Sequence, residues 1–311
     1  MMIAKLLILL ILLVLIVLPH CKYKENLNKK KINKILRYKK NNYTYSFLGK
    51  IDNTTENTKF ILIVPFFNPG IKLLKKCIYS IKKQKYKNYD VCFINDNSTK
   101  ESNEIDSLIN IYTNKYNWKY IKNKNNYGPM YSRLAGIDAI NPSPEDVIVT
   151  LDGDDSLSNK IVLNKLNLIY TNENVLVTFG NFIRTTTNGK ITGKKSDQCN
   201  LNFNDIINNN KFREYKFFSH LKTFKFKLLK HIDRNVFKRD GEYIRSATDV
   251  AIMTPLLELS GNRIACVDDT LYKYTIDNPI SFMNNKKTLN KQNNNARYIQ
   301  SLAKYSCKPD I

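Results

Sequence analysis

The sequence predicts an α/β fold, a Rossmann-like and mostly parallel doubly wound sheet flanked by helices, with a hydrophobic anchor at its N-terminus. Three observations carry this expectation. The five-residue apolar run Phe60–Val64 lacks the alternation of a half-exposed strand and reads as a strand buried on both faces, and the apolar run Val147–Leu151 reads as another strand. Stretches with apolar residues at helical spacing separate such runs. The runs also end in polar turns, and strand and helix in alternation favour right-handed crossovers within one sheet.

The elements follow in chain order. Met1–Leu18 is apolar except for Lys5 and is closed by Pro19. Its uninterrupted part covers roughly 20 Å as a helix, against a hydrocarbon core of about 30 Å. With Lys5 snorkelling, residues 1–20 nearly span it. Val17–Cys21 lacks the small-residue pattern of a cleavage site, so an uncleaved single-pass anchor is expected, with secretion after cleavage as the competitor. Lys22–Lys40 holds eight Lys and one Arg against one Glu, a net +8. Residues 21–58 therefore read as a basic stem. That charge argues for a cytosolic bulk, whereas Asn42-Tyr43-Thr44 and Asn53-Thr54-Thr55 would be glycan acceptors in a lumen. The ordered domain is expected over 59–279.

Within it, Ile71, Leu74, Ile78 and Ile81 recur at helical spacing, and Asp90–Ile94 is a second strand. Residues 101–113 read as a helix, Trp118–Ile121 as a strand, and Met130–Ile140 as a helix before Val147–Leu151. Ile161–Ile169 reads as a helix and Val175–Phe179 as a strand. Asn200–Asn210 reads as a polar loop, Lys222–Lys230 as a helix, and Asp249–Leu259 as a helix stopped by Gly261. Ile264–Val267 and Leu271–Tyr274 read as two late strands. Thr275–Ile311 is Asn/Lys-rich and is expected to pack loosely, with 280–311 as a polar tail.

The formal charge is +23. A polyanionic partner would explain it, but heavy use of Asn, Lys, Ile and Tyr, whose codons are rich in A and T, explains it more simply. No zinc-finger spacing or RNA-binding aromatic pattern occurs, so no nucleic-acid partner is expected. The six cysteines are widely spaced with no CxxC. Cys77 and Cys92 read as core residues, and nothing in the spacing requires an oxidising compartment.

Ligands of open parallel sheets bind beyond the carboxyl ends of the strands. Three such ends are polar here: Pro65-Phe66-Phe67-Asn68, Asn95-Asp96-Asn97-Ser98 and Asp152-Gly153-Asp154-Asp155. Three carboxylates in four residues repel, and a divalent cation relieves that because hard cations prefer carboxylate oxygens. Gly153 permits unusual backbone angles there. The bland alternative is a solvated turn with Asp155 or Ser156 capping the next helix. Asp96 either accepts from a nucleobase or caps a helix near Thr99. Gly128 and Arg133 at a helix start suit a diphosphate, unless Arg133 is only an exposed helix charge.

These residues carry a resemblance. Phe60–Ser102, with Pro65, Asn68, Tyr86-Lys87-Asn88-Tyr89 and Asn95–Thr99, resembles the opening of family-2 glycosyltransferases of the GT-A fold. Asn126–Ile137 is similar to that family's Asn-x-Gly…Ala-Arg-Asn-x-Gly segment, and Asp152–Asp155 to its DxDD. Asn95 departs from a more usual Asp, and Phe67 from a Tyr. Ser219–Phe224 and Thr248–Met253 resemble stretches of bacterial chondroitin and hyaluronan synthase domains, so the resemblance runs from Phe60 to about Pro279. It implies a glycosyltransferase acting on a nucleotide-sugar, with uracil as the expected base. Pro65, Phe66, Asn68, Asp96, Ser98, Gly128, Arg133, Asp152 and Gly153 would hold the donor. Mn2+ or Mg2+ would be bound by Asp154, with Asp152, Asp155 and His220 as partners, and Asp249 would be the base. His220 is otherwise a structural histidine, and Asp249 a helix cap. Direct displacement at the anomeric carbon implies inversion, with a glycan, protein or lipid acceptor. A nucleotidyltransferase would need a Gly-rich phosphate loop, which Pro65–Gly70 does not supply. A membrane-tethered binding protein without activity is the other alternative.

Overall fold

The computed structural model describes residues 38–47, 55–215, 218–278 and 286–311. The expected anchor at 1–20 and most of the stem lie outside these residues. Among the described residues no helix is long and apolar enough to cross a membrane. A hairpin of β1 (Tyr38–Asn41) and β2 (Thr44–Phe47) comes first. Part of the expected stem is therefore built into the sheet, because β2 pairs with a late strand, its Tyr45 opposite Val267.

The next strands are β3 (Phe60–Phe66), β4 (Tyr89–Asn95), β5 (Lys119–Lys122) and β6 (Val147–Thr150), all parallel. Helices α1 (Ile71–Lys82), α2 (Ser102–Tyr116) and α3 (Pro129–Ile140) connect them. Side chains alternate across a strand, and β3 shows why its sequence reads as unbroken apolar. Phe60, Leu62 and Val64 join one core with Leu74, Ile78, Ile81 and Ile105. Ile61 and Ile63 join the core on the other face with Met130, Leu134 and Ile137.

The second half is mixed. After β7 (Ser156–Leu157), α4 (Val162–Asn172), β8 (Val177–Thr185) and β9 (Ile191–Thr192), the stretch expected as a loop holds a short helix, α5 (Phe203–Asn208). Phe203 and Ile206 are buried there, so two apolar anchors outweigh an otherwise polar composition. Lys222–Lys230 is not one helix. It is a strand, β10 (Lys222–Lys225), followed by a single turn, α6 (Phe226–Leu229). β10 lies antiparallel between β6 and β8, so pairing on both sides overrides local propensity. A small hairpin of β11 (Lys238–Arg239) and β12 (Glu242–Tyr243) precedes α7 (Thr248–Ser260). The two late strands are one, β13 (Ile264–Thr275), with register shifts after Val267 and Thr270. The main sheet runs β1-β2-β13-β8-β10-β6-β3-β4-β5, with β7 on β13 and β9 on β8.

The C-terminal part is not loose. α8 (Lys286–Ser301) buries Ala296 and Ile299. Arg213 pairs with buried Glu258 through two hydrogen bonds and donates to the carbonyls of Ile299 and Ala303. Arg263 donates to the carbonyls of Lys308, Pro309 and Ile311. These charge-assisted bonds dock a segment whose composition gives no such signal. Cys199 and Cys266 form a disulfide that ties the loop before α5 to β13, a pairing the spacing did not reveal. Cys77 and Cys92 are buried and free, as expected.

Candidate active site

The carboxyl ends of β3, β4 and β6 open into one cleft of about 1440 Å³. Of the residues expected there, Pro65, Phe66, Asp96, Gly128, Arg133, Asp152, Asp154, Asp155, His220 and Asp249 line it. Asn68 and Ser98 stand behind the lining. Asn68 accepts from the backbone N–H of Thr99 and Lys100 at 2.8 Å each, and Ser98 accepts from the Asn68 N–H at 2.9 Å. They weld the loop after β3 to the loop after β4.

Asp96 does not cap a helix near Thr99. Its carboxylate accepts from Asn123 Nδ2 at 2.7 Å and from the backbone N–H of Tyr127 and Gly128 at 3.0 and 2.8 Å. It thus shapes the entry to α3. Gly128 has a φ of 91°, a conformation disfavoured for residues with a Cβ. A Cβ there would also meet Arg245 Cγ at 3.0 Å.

Arg133 is not an exposed helix charge. It is buried on α3, where Nη2 donates to Asp152 Oδ1 at 2.6 Å and Nη1 to Thr248 Oγ1 at 2.8 Å. The guanidinium therefore bridges the end of β6 and the start of α7. Its Nε is buried with no partner among the described residues. Burial works against the Asp152 carboxylate, but Arg133, then Lys222 and His220, pull its pKa below the ordinary value.

Gly153 serves proximity rather than backbone freedom. Its φ is not among the positive values, and a Cβ would lie 2.7 Å from Phe66 Cβ. The tip of β3 thus packs directly on the acidic turn. Asp154 accepts from Asn278 Nδ2 at 2.8 Å. Burial and the Asp152 charge push its carboxyl up to about 6. Asp155 does not cap α4, whose N-cap position is Ile161. Both of its oxygens are taken by β13, from Tyr272 OH at 2.7 Å and Thr275 N–H at 2.7 Å. Burial, then Asp154 and Asp152, drive its carboxyl well above the usual range.

His220 and Asp249 arrive from the second half. β10 is antiparallel to β6 with Lys222 opposite Thr150, so the residues leading into it stand at the same carboxyl edge as the acidic turn. The His220 ring stacks on Tyr272, with centroids 4.3 Å apart and planes 14° apart. Its Nδ1 is 3.1 Å from Lys222 Nζ, and its Nε2 is 3.9 Å from Asp249 Oδ2. Burial, then Lys222, lowers its pKa to about 4, so the ring is neutral. Asp249 is in the first turn of α7 but is not its N-cap, which is Ala247. Its Oδ1 accepts from Lys222 Nζ at 2.6 Å. Burial opposes ionisation, but Lys222, His220 and Arg133 hold the carboxyl far below its ordinary value.

Lys222 is the residue that sequence reasoning missed. It is 1% exposed, and its ammonium ion joins His220 to Asp249. A lysine beside a histidine gives no sequence signal of burial, because lysine is almost never buried without a partner and the partner is remote in sequence.

Asp152 gives one oxygen to Arg133 and Asp154 one to Asn278. Each keeps an oxygen that no other side chain among the described residues takes. Among the described residues, no three His, Cys, Asp or Glu side chains form a ready-made metal site. Two carboxylates, each with an oxygen that no other side chain takes, suit a hard cation that completes its shell with further oxygen ligands. The raised pKa of Asp154 marks charge that such a cation would relieve. Asp155, with both oxygens engaged, and His220, with Nδ1 turned to an ammonium ion, are placed less well for direct ligation.

Residues 61–233 match the family described as Glycosyl transferase family 2. A curated relative, an uncharacterised glycosyltransferase of Haemophilus influenzae, is 30% identical over 145 residues, which cover 45% of this chain and 55% of the relative. The chain thus spans about half the length of the curated relative it matches. S. aureus TarS in complex with UDP-GlcNAc superposes with a TM-score of 0.58 at 22% identity, over 78% of this chain and 65% of TarS. GalNAc-T7 with UDP, GalNAc and Mn2+ superposes with a TM-score of 0.54 at 14% identity, over 78% of this chain and 48% of that one. At these identities the two superpositions show a common fold.

Proposed function

The chain belongs to glycosyl transferase family 2, and from its cleft we propose that it moves a sugar from a UDP-sugar to a hydroxyl acceptor, with a divalent cation and with inversion. The observation that carries this reading is the joint placement of Asp152, Asp154, Arg133 and Asp249 in one cleft at the carboxyl edge of the sheet. UDP complexes of TarS and of GalNAc-T7, on the same fold, support the choice of donor.

Asp96, Gly128 and the tip of β3 would hold the nucleotide. The N-terminal end of α3 offers its dipole to the diphosphate. Asp154 and Asp152 would hold Mn2+ or Mg2+, which when bound supplies Lewis-acid charge to the leaving diphosphate. Arg133 fixes Asp152 in its ionised form and orients it.

Asp249 would take the proton of the acceptor hydroxyl. It is already ionised, as a base must be, but its ion pair with Lys222 weakens its basicity. Proton transfer therefore calls for the acceptor to loosen that pair. Lys222 in turn keeps the carboxylate aimed and His220 neutral. One base and one displacement give inversion at the anomeric carbon.

The test is turnover of a UDP-sugar panel with and without Mn2+. Cation-dependent release of UDP is expected for at least one sugar. Full activity in EDTA would remove the metal from the proposal, and no turnover or binding of any nucleotide-sugar would remove the donor.

A further inference from the structure

The chain has 41 lysines and nine arginines. The cleft reverses that ratio. Among the described residues it is lined by Arg133, Arg184, Arg239 and Arg245 and by one lysine, Lys291. A general excess of positive charge would have brought lysine to these positions. Arginine against that background points to a ligand that needs a planar fork of donors, as carboxylates and phosphates do.

Arginines elsewhere show what a satisfied fork looks like in this molecule. Arg213 holds Glu258 at 2.6 and 2.9 Å. Arg234 holds Asp138 at 2.6 and 2.5 Å. The cleft arginines other than Arg133 lack such partners. Arg184 and Arg245 form no ion pair among the described residues, and Arg239 has only Asp240 at 3.7 Å. Arg245 is held by the Asn126 carbonyl at 2.7 Å, and Arg239 by Asn295 and the Tyr298 ring. Arg184 is exposed on β8. Among the described residues of this outer part of the cleft, four cations face two acids, Asp240 and Glu242.

A donor diphosphate accounts for Arg245, which packs on Gly128 at the start of α3. It leaves Arg184 and Arg239 unexplained. We propose that these two arginines form a subsite for an anionic acceptor, a sugar or polyol bearing a phosphate or a carboxylate. This rests on the glycosyltransferase reading and extends it to the acceptor.

The test uses the full chain saturated with UDP and Mn2+, so that the diphosphate site is filled. Glycerol 1-phosphate, glucuronate and glucose are titrated separately by calorimetry. At least one anion is expected to bind about tenfold or more tightly than glucose, and the two anions separate phosphate from carboxylate. Arg184→Met and Arg239→Met should each weaken that anion about tenfold or more, with Arg184→Lys between them and wild type. Arg297→Met, on an exposed position outside the cleft, should leave it unchanged. Equal binding of glucose and the anions, no anion binding, or wild-type anion affinity in both methionine variants would overturn the subsite while UDP binding stands. Failure of UDP itself to bind would remove the donor reading and the subsite together.

Discussion

The cleft has two unlike rims. The inner rim, at the ends of β3, β4 and β6, is acidic, and its carboxylates are mostly spoken for. Asp96 closes on α3, Asp155 on β13 and Asp152 on Arg133. The outer rim, from β8, the β11–β12 hairpin and the segment after it, and α8, is basic, and Arg184 and Arg245 there have no carboxylate partner among the described residues. Hydrogen-bonded polar networks rigidify a site, whereas exposed charges without an ion partner stay available to one. Under the proposed function, the inner rim would preorganise the leaving group and the outer one would recognise the acceptor.

The contrast can be broken most strongly at Asp154. Asp154→Ala should cost about 10³-fold or more in donor turnover, the loss expected when several kcal/mol of Lewis-acid stabilisation disappear. Its melting temperature should not fall, because a carboxyl with a raised pKa destabilises the free protein at neutral pH. Steady-state turnover alongside calorimetric melting checks both. Asp249→Asn comes next. Removing a general base should lower transfer about 10²- to 10⁴-fold while UDP-sugar binding persists. Wild-type transfer by this variant would take the base role from Asp249.

Arg133→Met tests the rigidity of the inner rim. Breaking a buried pair costs about 3–5 kcal/mol, and the 28% exposure of the Asp152 side chain places this case at or below the lower figure. Denaturant unfolding reads that loss. A variant as stable as wild type would mean that the Asp152 pair contributes little to the fold.

The smallest effect is the pH dependence of metal stabilisation. The Asp154 carboxyl titrates at about 6 in the folded chain, above the usual carboxylate value of about 4. Its contribution to the stability of the metal-free protein is therefore full below about pH 4 and is lost as pH rises through about 6. A cation takes only the ionised form. The Mn2+-induced rise in melting temperature should therefore grow between pH 5 and pH 7, and a rise that is flat across that window would contradict the assignment.

The inner rim was legible in the sequence because its strands are local and buried on both faces. Phe60–Val64 and Val147–Leu151 needed no distant partner to be read, and the polar residues after them fall at the sheet edge by the rule for parallel sheets. The contacts that the second half of the chain makes with that rim and with its own C-terminal segment were not legible. Lys222 reads as part of a helix until β10 is seen to pair with β6 on one side and β8 on the other. Asp155 reads as a cap until Tyr272, far along the chain, reaches it. The C-terminal helix reads as a tail until Arg213 and Arg263 dock the segment around it. In each case the deciding contact is remote in sequence. The anchor at 1–20 rests on its sequence alone.

UDP binding measured by calorimetry with and without Mn2+, in wild type and Asp154→Ala, tests the central claim most directly. The account predicts binding in wild type that is strengthened by Mn2+, and an Mn2+ effect that vanishes in Asp154→Ala. An equal Mn2+ effect in both proteins, or none in wild type, would contradict it.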